Sequence, residues 1–84
     1  MQEVLELLDK TIADMPELTR EIFIRRWKEG YSTAETAQQL GISEQTVRAR
    51  YIWALESIKK QIKPIYPSYV YSAIVLAMYI SVMK

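Results

Sequence analysis

An all-α fold follows from three features of the sequence. Apolar residues recur at helical spacing along most of the chain, capping residues stand just before those runs, and the two glycines and three prolines fall at their ends. Together they predict four helices in a first unit, residues 1–63, followed by an additional apolar C-terminal helix in a tail, residues 64–84. A chain of 84 residues supports one small core. Folding at this length buries only about 60–65% of the unfolded surface, so each buried contact matters.

The first helix is expected over about Gln2 to Asp14, where Val4, Leu5, Leu7, Leu8, Ile12 and Met15 share one face and acids the other. Met15-Pro16 breaks it, because the residue before proline avoids the helical region. Pro16 suits the first turn of a second helix carrying Leu18, Ile22, Phe23, Ile24 and Trp27, and Gly30 stops that helix. Ser32 followed by Glu35 is a capping box, which predicts a third helix over Thr33 to Leu40. Gly41 ends it and Ser43 caps a fourth, from Glu44 to about Ile62. Val47, Tyr51, Leu55, Ile58 and Ile62 form its buried stripe, and Gln45, Arg48, Ala49 and Trp53 its outward face. Pro64 and Pro67 make residues 63–67 a linker, after which Ser68 can cap a last helix reaching Met83.

The stretch STAETAQQLGISEQTVRARYIWALESI, Ser32 to Ile58, has the parts of a helix-turn-helix. A short capped helix meets a longer basic one across a tight turn. Ala37 is small enough for the two helices to approach closely, Gly41 can take the left-handed turn, and Leu40, Ile42 and Val47 fill the corner. The fold class is thus a four-helix helix-turn-helix domain followed by an apolar helix. The first turns of the longer helix would present donors to base edges and phosphates, with the positive end of the helix dipole toward DNA. A helical hairpin that binds only protein is the blander alternative.

Composition narrows the function further. With no cysteine and no histidine there is no disulfide framework, no thiolate metal site and no common general base, and no Gly-rich phosphate loop is present. Neither catalysis, nor a cofactor, nor a metal is expected. The make-up suits a reduced, cytoplasmic protein, and the acidic, amphipathic start is unlike a secretory signal. Net charge is only +1, but it is unevenly spread. Met1 to Gly30 holds seven acids against five bases, Tyr31 to Lys63 five bases against three acids, and Pro64 to Met83 no charge at all.

The sequence resembles region four of sigma-70-type factors, most closely the compact extracytoplasmic-function group. The resemblance rests on Met15-Pro16-Glu17, Arg20-Glu21-Ile22-Phe23, Glu29-Gly30-Tyr31-Ser32, Glu35, Ala37, Leu40-Gly41-Ile42-Ser43, Thr46-Val47, Arg50 and Ala54-Leu55, over about Leu5 to Ile62. It implies promoter DNA as one partner, its −35 element read by the fourth helix. It implies the RNA polymerase core as another, its β flap cradled by the first two helices. It allows an anti-sigma factor as a third. Thr36 stands where an aliphatic residue is usual, Ala49 where a small hydroxyl residue is frequent, and Trp53 where a basic residue is frequent. Region two, which melts the −10 element, is not in this sequence, so the chain reads as an excised fragment or a stand-alone variant. The related helix-turn-helix of two-component response regulators is the alternative, on Leu18-Thr19-Arg20-Glu21 and Ile42-Ser43-Glu44-Gln45-Thr46-Val47. Met15-Pro16 before the second helix favours the sigma resemblance.

Among single residues, Arg48 is the first candidate for a base contact, because a guanidinium matches a guanine edge in bidentate fashion. Contact with phosphate is its second role. Arg50 is expected to clamp phosphate or to pair with an acid on a neighbouring helix. Gln45 and Thr46 lie in the first turn, Ser43 is a cap that could meet phosphate, and Ala49 and Trp53 share the outward face. Ser32 and Thr33 complete the candidate DNA contacts. The apolar stripe of Leu5, Leu8, Ile12, Ile22 and Phe23 is the candidate polymerase-binding surface. Trp27 is expected in the core, and Arg25, Arg26 and Lys28 on a solvated face, with flanking DNA as their alternative role.

The uncharged tail approaches bilayer-spanning length, with Tyr66, Tyr69, Tyr71 and Tyr79 toward its ends. The early prolines leave about 16 helical residues, roughly 24 Å, and Ser68, Ser72 and Ser81 dilute them. A helix buried against protein is therefore preferred to a membrane anchor, and to the strand or disordered segment that the valine and isoleucine content leaves as a further alternative. It would fold over Ile52 and Trp53, cover the groove of the first two helices, or form a homo-oligomer with another copy.

Overall fold

The computed structural model describes the backbone of residues 2–83 and the side chains of residue 6 and residues 8–83. Five α-helices make up the described residues: α1 (Gln2–Ala13), α2 (Glu17–Phe23), α3 (Thr33–Leu40), α4 (Glu44–Ile62) and α5 (Ser68–Val82). A π-helical turn, Ile24–Lys28, continues α2 without a break.

Local chemistry sets most boundaries. Ser32 Oγ accepts from the Glu35 amide at 3.0 Å while Glu35 Oε1 accepts from the Ser32 amide at 3.0 Å, which closes the expected capping box. Gly41 ends α3 at φ +67°, and the Ile42 amide reaches back to Ala37 O at 3.1 Å, a Schellman-type stop. Gly30 does the same after the π-helical turn, at φ +75°, with the Tyr31 amide on Arg25 O at 2.9 Å. Pro16 stands one step before its expected place in the first turn, and the last helix starts one residue earlier than a Ser68 cap would give. Pro16 and Pro67 are themselves the N-cap residues, and Ser68 is the first helical residue with no capping bond. Their carbonyls accept the first helical amides, from Arg20 and from Tyr71, both at 2.9 Å.

Helix α4 is the hub, packed against α1, α2, α3 and α5. Its expected stripe, Val47, Tyr51, Leu55, Ile58 and Ile62, is entirely buried, joined by Ala54. Met15, Ile22, Phe23, Ala37 and Met78 complete the core. Each large apolar side chain so buried contributes about 1.5–3 kcal/mol.

Two side chains reverse their expected places. Trp27 is 44% exposed, stacked on Phe23 with ring centroids 6.0 Å apart, at the rim of the core and not within it. Arg26, expected in solvent, is only 7% exposed. Its Nη1 donates to Tyr31 O and its Nη2 to Ser81 O, both at 2.7 Å, and its guanidinium lies 5.0 Å from the centre of the Tyr51 ring. Carbonyl acceptors and an aromatic face together let the charge leave water.

The tail folds back on its own chain. Helix α5 packs on α4 through Met78, with Tyr71, Ile74 and Val82 partly buried beside it. Ile52 and Trp53 stay exposed, so the tail does not cover them. Tyr69, Leu76, Ile80 and Met83 form an outward apolar face. Among the described residues no helix is long and apolar enough to cross a membrane.

Candidate nucleic-acid interface and the adjoining groove

The start of α4 is built to stand clear of the domain. Ser43 Oγ accepts from the Thr46 amide at 3.1 Å and shares a 2.8 Å hydrogen bond with the Thr46 hydroxyl, which ties the first turn to the loop before it. With the Val47 stripe inward, Gln45, Arg48, Ala49 and Trp53 lie exposed at steps of three, one and four, a single outward face. Arg48 Nη2 meets Glu44 Oε1 at 3.3 Å with both side chains more than half exposed. Such a surface pair is worth little, about 0–1 kcal/mol, so Arg48 can exchange it for a stronger anion or a base edge.

The remaining candidates divide. Arg50 is exposed, but it leans on α2, its Nη1 3.5 Å from Thr19 Oγ1, so its neighbour is a hydroxyl and not the expected acid. Ser32 is occupied as a cap, and Thr33 is only 8% exposed at the start of α3, which leaves its side chain little surface to offer. The Glu35 carboxyl is held below its ordinary pKa by the Ser32 amide and then the Ser32 hydroxyl. Arg25 was expected on a solvated face, with flanking DNA as its alternative role. It donates from Nε to Gln39 Oε1 at 3.0 Å and pairs with Glu21, bracing α3 against the end of α2.

Beside this interface lies an apolar groove of about 330 Å³. Leu55, Ile58 and Ile62 of α4 line it together with Leu8 and Ile12 of α1, Phe23 and Trp27, and Ile74 and Met78 of α5. Asp9 and Lys28 also line it. Of the expected polymerase-binding stripe, Leu8, Ile12 and Phe23 do meet here. Ile22 does not, since it is fully buried in the core, and the Leu5 side chain lies outside the described residues. The α4 residues were expected only as a buried stripe, and α5 at this groove was one of three placements the sequence left open for the tail. No group of His, Cys, Asp or Glu able to hold a metal occurs among the described residues.

A capped short helix, a glycine turn and a longer helix with a free polar face define a helix-turn-helix DNA-binding domain. The family model for sigma-70, region 4 matches residues 5–52, more than half of the chain, and the chain belongs to that family. It is therefore a DNA-binding domain of transcription initiation that works with RNA polymerase, which sets the response-regulator alternative aside. Comparison with curated proteins and with solved structures gave no match.

Proposed function

We propose that α4 enters the major groove at the −35 promoter element while the groove between α1, α2 and α4 holds the β flap of RNA polymerase. The observation that carries the first half is the outward face of Gln45, Arg48, Ala49 and Trp53 on a capped helix whose other side is wholly buried. Gln45 and Arg48 are suited to adenine and guanine edges, and Ala49 and the Trp53 ring to thymine methyl groups. The second half rests on Leu8, Ile12 and Phe23 meeting in one apolar groove. The Met15-Pro16-Glu17 and Glu29-Gly30-Tyr31-Ser32 pattern favours the extracytoplasmic-function group.

Binding to duplexes that differ at single positions tests the first half. Arg48→Ala should lose about 1–3 kcal/mol on the preferred site and flatten selectivity at one base pair. An equal loss on every duplex makes Arg48 a phosphate contact. Absence of DNA binding at low salt, even with the domain tethered to polymerase, refutes DNA recognition by α4. For the second half, Ile12→Glu should abolish flap binding and leave DNA affinity intact.

A further inference from the structure

The family match stops at residue 52, yet the groove is lined in part by a helix that begins sixteen residues later. Ile74 and Met78 of α5 line the same cavity as Leu8 and Ile12 of α1. With α5 in place, a helix seated on the α1 and α4 residues of this groove would meet Ile74 and Met78, which occupy part of the same lining.

Helix α5 is itself an apolar helix lying against α4. Its inner face is Tyr71, Ile74, Met78 and Val82, spaced three, four and four apart, with no charge. Only Met78 is fully buried, so the apolar hold is shallow. Three polar ties supplement it: Arg26 Nη2 to Ser81 O at 2.7 Å, the Tyr51 hydroxyl to Ser81 Oγ at 2.9 Å, and the Tyr79 hydroxyl donating to Glu56 while it accepts from Lys59 Nζ at 3.3 Å. The tail is thus fastened at its far end and joined to α4 through the proline-containing segment 63–67, a geometry that permits release as a unit.

We infer that α5 competes with the partner's helix for this groove, so that the domain accepts an amphipathic helix with an uncharged apolar face only when α5 lifts away. The inference rests on the flap occupying the groove. A groove open about one-tenth of the time weakens apparent affinity about tenfold, and releasing the tail restores it.

The test uses the full chain and the isolated flap domain of RNA polymerase. Flap binding to the wild-type chain should speed amide exchange in α5 at least tenfold while slowing it in α1 and α4. Tyr71→Asp places an acid near the start of α5, where the helix dipole tolerates it, and puts a charge on the docking face. This variant should bind flap about tenfold more tightly with unchanged DNA affinity. If α5 amides remain protected in the wild-type complex, α5 is a fixed wall and the competition is refuted, whether or not the variant folds. Flap binding no tighter in a folded Tyr71→Asp chain refutes it equally. If neither chain binds flap while both bind DNA, the flap assignment itself fails and the competition falls with it.

Discussion

Thr36 is fully buried in α3, yet its hydroxyl has no hydrogen-bond partner among the described residues. The Ser32 carbonyl one turn back takes the Thr36 amide at 2.9 Å. Replacing Thr36 by Val removes the stranded hydroxyl, keeps the β-branched shape and leaves helix propensity nearly unchanged. An unsatisfied buried polar group costs about 1–3 kcal/mol, so Thr36→Val should stabilise the fold by about that amount. In a domain of this size each kcal/mol moves the melting temperature by about 4–8 °C. Thermal unfolding should therefore shift up by at least about 4 °C, and the urea midpoint should rise with an unchanged slope. DNA affinity should not move, because Thr36 faces inward. A melting temperature that stays put or falls would show that the hydroxyl is satisfied in the folded protein, and the argument from its burial would fail.

Arg26→Met strands the Tyr31 and Ser81 carbonyls and should destabilise the chain by about 2 kcal/mol or more in urea unfolding; a neutral result would mean those carbonyls reach water. The Glu56 carboxyl is held below its ordinary pKa, first by the Tyr79 hydroxyl and then by Lys59. Its stabilising contribution is therefore present above the carboxylate range and lost as pH falls through its folded value. Any loss from Glu56→Gln at pH 7 should shrink at about pH 3, and a loss that persists in acid would contradict the assignment. Leu76, at 63% exposed, lies on the outward face of α5. If that face drives self-association, sedimentation at rising concentration will show larger species for the wild type and a monomer for Leu76→Asp.

How much was legible in the sequence depended on whether the signal was local. The bounds of α3 and α4 match expectation residue for residue, because Ser32 with Glu35, Gly41 and Ser43 each act within one turn of their own position. The outward face of α4 followed from spacing alone. Arg26 was misplaced because its type was weighed above its position. Thr19, Ile22, Phe23 and Arg26 stand at i, i+3, i+4 and i+7, one continuous stripe, and all four are buried. Thr33, Thr36, Ala37 and Leu40 repeat the pattern in α3, with Leu40 the least covered. On such a stripe a polar residue goes inside with the rest, whether it finds a distant acceptor, as Arg26 does in Ser81 O, or none among the described residues, as for the Thr36 hydroxyl. The site of α5 was legible only as one of three alternatives, for a related reason. A helix apolar on every side has no face to orient it, and its place is set by Arg26 and Tyr51, distant in sequence from Ser81. Ile22 was expected in the groove but sits beneath it, since helical spacing does not separate the core from the rim of the core.

The absence of charge between Pro64 and Met83 gives the domain two different responses to ionic strength. The DNA contacts proposed for Arg48 and its basic neighbours would release counterions and weaken steeply as salt is added. Closure of α5 has no such dependence, because every group it contributes is neutral: a backbone carbonyl, two hydroxyls and apolar side chains. Screening leaves those contacts nearly intact, and strongly hydrated anions such as sulfate strengthen apolar burial. A salt titration therefore dissociates the domain from DNA while holding its tail shut. A chaotropic salt at equal ionic strength would loosen both, so the identity of the anion, at constant concentration, distinguishes the two faces of this small protein.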